Sequence, residues 1–303
     1  MLAVNLCVFL CLQSLCTRGL LHYYSPPSSA VRVSHREPFI TSHDDASFDL
    51  FYPFYRDRAL GRVFSIADIH GDYDGLIHIL GEMELIDDSK HWSGGNAVLV
   101  QTGDILDRGK DSADVLRLFA RLKREACEVD GNVILLLGNH EWMNINGDFS
   151  YAGEGEDEGF KPFKRNETFE PGGEFHRFLR SFPFAARVLM GEHAILFMHA
   201  GIVDESEEFT RFYSHETDES LVCDKLHDVL LSFESSKMVI GHTVQAEAKV
   251  RTRCDGKLVL GDTGFAPYYF GHPLGLEHYA NGTHRTIELP GTSVACPIIL
   301  PFK

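Results

Sequence analysis

Side chains that can bind metal ions or transfer protons follow five separate apolar runs of this chain. Five motifs stand directly after these runs: DIHGD (68–72), GDILDRG (103–109), GNHE (138–141), HAG (199–201) and GHT (241–243). Together they supply carboxylates, an amide and several imidazoles. Hard oxygen ligands mixed with imidazole suit Mn, Fe or Zn rather than Ca. The motifs therefore predict a transition-metal site.

The spacing of these residues indicates two ions that share one carboxylate. Asp68 and His70 are two residues apart, so in a turn both can point to one ion. Asp104 can bridge to a second ion, which Asn139, His199 and His242 complete. Two ions about 3.5–4 Å apart can hold a shared hydroxide and clamp a phosphoryl group for in-line attack. Each motif by itself is common in turns and at strand ends. Chance does not readily place all five in this order, each at a strand end.

The elements that must position these groups have the pattern of a layered α/β domain. Six apolar runs are typical of buried strands: Val63–Ala67, Ala97–Val100, Val133–Leu137, Ile195–Met198, Met238–Ile240 and Leu258–Leu260. Helical patterns lie between the first three runs, at Gly75–Met83 and Ala113–Cys127. This β–α–β–α–β order predicts an α/β domain, and the strand-rich back half predicts a second sheet. Ligands bind at the carboxyl edge of such sheets, which is where the motifs stand.

The same motifs carry a family resemblance. The set DxHGD, GDxxDRG, GNHE, HAG and GHT resembles the phosphoprotein phosphatase branch of the calcineurin-like metallophosphoesterases. Three segments are similar to the Shewanella-like protein phosphatases: GNHEWMNINGDF (138–149), PGGEF (171–175) and FTRFYS (209–214). The resemblance covers about Arg62 to Gly271. It implies a β-sandwich of two mixed sheets flanked by helices, with a dinuclear site of divalent or trivalent Mn, Fe or Zn at the strand ends.

The resemblance also implies a role for each motif residue. Asp68 and His70 match ligands of the first metal, Asp104 matches the bridge, and Asn139, His199 and His242 match ligands of the second metal. His140 matches the general acid that protonates the leaving oxygen, and Asp107 matches its orienting partner. Arg108 matches a phosphate clamp. Arg211 matches a second phosphate arginine on the short FTRFYS segment alone, and an ordinary surface arginine is the alternative.

The function implied is a metal-dependent phosphoprotein phosphatase. It would hydrolyse phosphomonoesters by direct attack of a metal-bridging hydroxide, with a phosphoprotein as substrate. Phosphotyrosine and phosphoserine or phosphothreonine remain equally open. A dinucleoside-tetraphosphate hydrolase shares the core motifs and is one alternative. A secreted binding module with an inactive phosphatase fold is another, although every ligand of the motif set and His140 are present.

Composition restricts the partners. The chain has 303 residues and a formal net charge of −16. Non-specific nucleic-acid binding needs clustered Lys and Arg, so we expect no nucleic-acid partner. The sequence does not predict the oligomeric state.

The N-terminal residues have the pattern of a secretory signal. Leu2–Leu15 carry no charge and are mostly apolar, but the run is shorter than the roughly 20 residues that span a bilayer. We expect a signal peptide over residues 1–16, an arm or linker over 17–60, and a catalytic domain over 61–303. An uncleaved signal anchor is the alternative. The expected location is the secretory pathway, with no stable membrane insertion after cleavage.

Two further features depend on that location or on the loops. Cys127, Cys223, Cys254 and Cys296 follow the proposed signal and allow three pairings. Disulfides and buried free thiols are equally open. The polar stretch 144–173 predicts a long loop, and its acidic run Glu154–Glu158 is expected to be solvated.

Overall fold

The computed structural model of the chain describes residues 54–59, 61–203 and 210–290. These residues belong to one compact unit, Phe51–Lys303. The proposed signal peptide lies outside the described residues, and so do Phe209, Cys296 and most of the predicted arm.

The described residues form eleven strands in two sheets. The strands are β1 (Phe54–Arg58), β2 (Val63–Ile66), β3 (Val98–Gln101), β4 (Asn132–Leu135), β5 (Ala185–Met190), β6 (His193–Met198), β7 (Lys237–Ile240), β8 (Arg251–Arg253), β9 (Leu258–Leu260), β10 (Leu274–His278) and β11 (His284–Glu288). One sheet has the order β1-β5-β6-β7-β9-β8 and the other β11-β10-β2-β3-β4. Both sheets mix parallel and antiparallel pairs, as the sequence predicted.

The helices lie between and around these strands. They are α1 (Tyr73–Glu82), α2 (Ser112–Cys127), α3 (Asn139–Ile145), α4 (Arg165–Phe169), α5 (His176–Leu179), α6 (Phe212–His215) and α7 (Glu219–Ser232), with a 3-10 helix at Glu156–Phe160. The two long helical patterns of the sequence are confirmed as α1 and α2. No helix within the described ranges is long and apolar enough to cross a membrane.

Strand alternation explains the three layers of core. On β2, Val63 packs into an apolar cluster shared with strands of both sheets, whereas Phe64 and Ile66 join the cluster beneath α1 and α2. Successive side chains of a strand point to opposite faces, so both faces of β2 are buried. For this reason the run Val63–Ala67 does not alternate between apolar and charged residues. Side chains of α7, such as Val222 and Leu226, cover the outer face of the other sheet. The predicted sandwich flanked by helices is confirmed.

One element was not expected. The arm was predicted to run to residue 60 outside the domain, but Phe54–Arg58 form β1, which pairs in parallel with β5. The Phe-Tyr-Arg-Asp-Arg sequence has no apolar run of the kind that marked the other strands. β1 is an edge strand of its sheet, and charged residues are usual on edges because they oppose pairing with other chains.

The predicted loop over residues 144–173 is folded onto the domain. Phe160, Phe169 and Phe175 are buried and contact one another, with Phe160 and Phe169 ring centroids 5.5 Å apart. In the acidic run, Glu154, Asp157 and Glu158 are exposed as expected, but Glu156 is fully buried. The expectation of a wholly solvated run is therefore wrong at Glu156, whose carboxylate accepts hydrogen bonds from two backbone N–H groups.

The cysteine alternatives are resolved for the described residues. Cys223 on α7 and Cys254 after β8 form a disulfide, with Cα atoms 5.4 Å apart. Cys127 is also disulfide-bonded. Free thiols are thus excluded at these three positions.

Candidate metal centre and active site

The carboxyl ends of five strands meet at one place. β2, β3 and β4 are parallel neighbours in one sheet, and β6 and β7 are parallel neighbours in the other. Each of these strands is followed by one of the predicted metal ligands: Asp68, Asp104, Asn139, His199 and His242. The parallel pairing brings the ends of these strands, and so these side chains, together.

Asp104 lies at the centre of the group. Its Oδ1 is 3.4 Å from Nε2 of His199, and its Oδ2 is 3.8 Å from Nε2 of His70. The ligand atoms of Asp104, His199 and His242 all lie within 4.8 Å of one another. The Asp104 carboxylate therefore faces both sets of imidazoles, as a bridging ligand must.

The tautomers of the imidazoles favour metal binding. Nδ1 of His70 lies 2.9 Å from the Leu106 carbonyl oxygen, and Nδ1 of His199 lies 3.0 Å from the Thr102 carbonyl oxygen. A carbonyl only accepts, so in the neutral rings the proton is on Nδ1 and Nε2 presents a lone pair toward the site. Metal-ligating histidines usually donate their other N–H to a carbonyl or carboxylate in this way.

The second set of ligands converges tightly. Nε2 of His199 lies 3.0 Å from Oδ1 of Asn139 and 3.0 Å from Nδ1 of His242. With the His199 proton on Nδ1, its Nε2 lone pair faces the amide oxygen of Asn139. Two lone pairs at this distance repel one another unless a cation lies between them. These donors therefore fit a metal ion.

Asp68 lies against the backbone of His242. Both of its carboxylate oxygens accept the His242 backbone N–H, at 2.9 and 3.0 Å. Among the described residues, the mutually close ligand sets pair His70 with Asp104 and His140, and do not include Asp68. Asp68 is nonetheless buried beside the site, where burial and the neighbouring Asp262 raise its pKa well above the usual range.

The centre holds an excess of buried carboxylates. Burial raises the pKa of Glu141 to about 7 and that of Asp262 to about 6, in both cases with a contribution from Asp104. Carboxylates so close together resist ionising unless cations compensate them. The donor types and the charge of this pocket thus fit two bound cations of the Mn, Fe or Zn type.

His140 and Asp107 form a pair beside this centre. Nδ1 of His140 lies 2.6 Å from Oδ2 of Asp107, and Nε2 of His140 lies 3.9 Å from Oδ2 of Asp104. Burial alone would lower the pKa of His140, but the carboxylates of Asp104 and Asp107 outweigh it and the net shift is upward. Nδ1 of His140 thus contacts Asp107, and Nε2 is left on the side that faces the metal ligands.

Arg108 lies at the mouth of the site between two tyrosines. Its guanidinium carbon is 4.4 Å from the ring centroid of Tyr151 and 4.9 Å from that of Tyr268, and Nη1 donates to the Tyr268 hydroxyl at 3.2 Å. Its buried Nε has no hydrogen-bond partner among the described residues. A guanidinium that stacking holds in place is suited to bind the oxygens of an anionic ligand such as phosphate.

Arg211 lies beside His242, just before α6. Its Nη1 donates to the His242 carbonyl oxygen at 3.1 Å. Burial lowers the pKa of His242 to about 3, and the positive charge of Arg211 adds to that shift. The structure thus brings Arg211 to the site, whereas the neighbouring Phe209 of its motif lies outside the described residues.

Glu141 supports the metal ligands from behind, a role that the sequence did not indicate. Its two oxygens accept four backbone N–H groups, from Gly138, Asp104, Ile105 and Leu106, at 2.8 to 3.1 Å. The loop that it holds is strained, because Asp104, Asp107 and Arg108 all have positive φ angles between 57° and 70°. The signal was available as the Glu of GNHE, but the motif alone does not show what the carboxylate contacts.

Five further residues near the site were also missed. They are Asn144, Tyr151, Glu156, Arg165 and Tyr268. They come from the loop 144–173 and from the segment after β9. Asn144 stands in the GNHEWMNINGDF segment, but neither a motif nor a periodicity gave any of the five a role. Only the geometry reveals them.

The comparisons with known proteins agree with this geometry. Residues 61–272 match the family model of the calcineurin-like phosphoesterases. The chain is 30% identical to an uncharacterised protein of Schizosaccharomyces pombe, over 75% of this chain and 80% of that one. It is 27% identical to Shewanella-like protein phosphatase 1 of Plasmodium berghei, over 70% of each chain. The solved structure of a cold-active protein tyrosine phosphatase superposes with a TM-score of 0.63 at 25% identity, over 78% of this chain and 82% of that one. The resemblance to Shewanella-like phosphatases is confirmed.

Proposed function

The chain belongs to the calcineurin-like phosphoesterases, and from that premise we propose that it is a metal-dependent phosphoprotein phosphatase. The observation that carries the proposal is the His140–Asp107 pair, 2.6 Å apart and directed at the Asp104 ligand cluster. Such a pair can deliver a proton where a phosphate ester breaks. A site built only to bind phosphate would not need it.

The proposed metal ligands are those of the motif set. Asp68 and His70 would hold one ion, Asp104 would bridge, and the second ion would be held by Asn139, His199 and His242. Bound ions of this type neutralise phosphoryl oxygens and lower the pKa of water to form a nucleophile. The positions of Asp104, His70 and His199 support this assignment, and the choice among Mn, Fe and Zn is left to experiment.

The protein's own side chains then perform three tasks. His140 donates the proton from Nε2 to the leaving oxygen, while Asp107 holds the ring through Nδ1. Arg108, which donates to the Tyr268 hydroxyl, and Arg211, which donates to the His242 carbonyl oxygen, orient the phosphoryl oxygens. Guanidinium groups match two phosphate oxygens at once, which fixes the ester for in-line attack.

The proposed substrate is a phosphorylated side chain of a protein. Tyr151 and Tyr268, which flank Arg108, are 41% and 54% exposed, so the mouth is open to a large partner. The names of the similar proteins support the same substrate class. The alternative function is that of a dinucleoside-tetraphosphate hydrolase.

A substrate comparison tests the proposal. The full chain, produced through a secretory host, is supplied with Mn²⁺ and assayed for phosphate release. The substrates are one peptide carrying phosphoserine, phosphothreonine or phosphotyrosine at the same position, and a dinucleoside tetraphosphate. We expect release from at least one phosphopeptide. Cleavage of the dinucleotide alone would overturn the substrate class, and no turnover by metal-loaded protein would favour the inactive binding module.

We also propose that the protein enters the secretory pathway with residues 1–16 as a signal peptide. The Cys223–Cys254 disulfide supports this, because such bonds persist mainly in oxidising compartments. N-terminal sequencing of protein secreted by a eukaryotic host tests it. A mature N-terminus near Thr17 is expected, and an intact Met1 on membrane-bound protein would favour the anchor.

A further inference from the structure

Arg165 makes a buried contact with the site although it belongs to none of the motifs. It is the first residue of α4, in the folded loop 144–173, and only 5% of its surface is exposed. Its Nη2 donates to Oδ1 of Asp107, which lies 58 positions earlier in the chain. His140 contacts the other oxygen of this carboxylate, Oδ2.

Asp107 is held on every side. Oδ2 binds His140, and the amide Nδ2 of Asn144 donates to both carboxylate oxygens at 3.1 and 3.2 Å. The backbone N–H of Asp107 donates to Oε1 of Glu156 at 3.1 Å. Arg165 joins these parts, since its Nη1 lies 2.9 Å from Oε2 of Glu156 and its Nε donates to Oδ1 of Asn144 at 3.0 Å. One guanidinium therefore contacts Asp107 directly and also two of the groups that fix it, Asn144 and Glu156.

Aromatic rings restrict the guanidinium of Arg165. Its central carbon is 5.0 Å from the ring centroid of Phe160, 5.7 Å from that of Phe149 and 5.9 Å from that of Phe169. Contacts of this kind stabilise a cation and leave it little rotational freedom. The loop packing that buries Arg165 thus also determines where its donors point.

The buried charges depend on Arg165 as well. Asp107 and Glu156 are both fully buried, and Arg165 is the cation that contacts both. Removing it would leave two carboxylates close together in a region from which water is excluded, which is costly. The arrangement is therefore sensitive to the loss of this one side chain.

We propose that Arg165 is a positioning residue for the phosphatase reaction, which holds the Asp107 carboxylate in the orientation that aims His140 at the leaving oxygen. This inference rests on the proposed function. It extends the catalytic apparatus from the strand-end motifs to the loop 144–173, and it gives that loop a task that its sequence did not suggest.

The test compares two esters with different leaving groups. para-Nitrophenolate is a weak base and leaves without a proton, whereas phenolate needs one. Arg165→Met removes the guanidinium and keeps the length of the side chain. Arg117→Met is the matched control, because Arg117 also pairs with a carboxylate, that of Glu174 just after the loop, and lies over a phenylalanine, Phe175. Its contacts do not include Asp107.

We expect Arg165→Met to lower kcat for phenyl phosphate about 10- to 100-fold, the usual loss when a supporting residue is removed. The loss for para-nitrophenyl phosphate should be several-fold smaller, with metal content and KM near wild-type values. Arg117→Met should leave both rates unchanged. Equal losses for both esters, or none, would overturn the positioning role. If wild-type protein hydrolysed neither ester, the proposed function itself would fail and the inference with it.

A second variant keeps the test usable if Arg165→Met does not fold. Arg165→Met combined with Glu156→Gln removes one buried carboxylate together with the guanidinium, so the buried charge stays balanced. The double variant should show the same selective loss on phenyl phosphate. Equal activity of the folded double variant and wild type on phenyl phosphate would reject the inference.

Discussion

Nδ1 of His140 lies 2.6 Å from Oδ2 of Asp107, and the other nitrogen of the same ring lies 3.9 Å from the central carboxylate of Asp104. The ring of His140 thus lies between the carboxylates of Asp107 and Asp104, and of these two only Asp104 is a proposed metal ligand. In the proposed mechanism this geometry separates proton delivery from metal binding, although His140 follows the proposed ligand Asn139 directly in the chain.

Replacing His140 tests that separation. We expect His140→Asn to lower kcat for a phosphopeptide by about 10²–10⁴-fold, the usual contribution of a general acid. Metal content, measured by elemental analysis of the same sample, should stay close to wild type. A parallel collapse of metal content would identify His140 as a ligand and contradict the role given to it.

Glu141 should matter for metal affinity. In Glu141→Gln, one end of the side chain becomes a donor and faces backbone N–H groups that it cannot satisfy. We expect a loss of about 1–3 kcal/mol in unfolding free energy and weaker metal binding by about 10- to 100-fold. Chemical denaturation and metal titration measure the two effects. Glu128→Gln is the control, because Glu128 is exposed at the end of α2. Equal stability and metal affinity of the two variants would show that Glu141 does not support the metal ligands.

Arg108 should be irreplaceable by lysine. A lysine keeps the charge but loses both the two-pronged contact with phosphate and the stacking between Tyr151 and Tyr268. We expect Arg108→Lys to lower kcat/KM for a phosphopeptide by at least about tenfold, which corresponds to roughly 1.4 kcal/mol of lost transition-state binding. Steady-state kinetics of this variant and of Arg124→Lys, an exposed position on α2, measure it. Wild-type kinetics for Arg108→Lys would remove Arg108 from the site.

Stability should fall in mild acid because of His278. This histidine is 2% exposed, lies 2.8 Å from the Ser65 hydroxyl, and has its pKa lowered by burial from 6.5 to about 3. The unfolded chain therefore takes up a proton that the folded chain refuses, so the stabilisation present above pH 6.5 is lost as the pH falls below it. The expected slope from this group is about 1.4 kcal/mol per pH unit.

Denaturation of wild type and His278→Gln between pH 7 and pH 5, at constant Mn²⁺, isolates this contribution. The variant should lose less unfolding free energy over that range, whereas His91→Gln, at an exposed position, should follow wild type. Parallel curves for wild type and His278→Gln would show that His278 does not cause the acid sensitivity.

The parts of the site that the sequence predicted are those coded locally. Apolar runs must be buried strands, and a polar motif directly after such a run must lie at the sheet edge, so Asp104, His199 and His242 could be placed without a structure. β1 could not be predicted, because it pairs through backbone groups, and these leave no pattern in the sequence. Glu156 could not, because it does not differ in type from its solvated neighbours. Arg165 reaches Asp107 only through the folding of a loop, and no spacing rule covers 58 positions.

The most direct test of the metal-dependent mechanism is metal content and phosphate release measured on the same samples. Wild type and Asp104→Asn are compared as purified, after chelation, and after Mn²⁺ is added back. We expect about two ions per wild-type chain, loss of phosphate release on chelation, and recovery with Mn²⁺, but no recovery in Asp104→Asn. Full phosphate release by wild-type protein stripped of metal would contradict it.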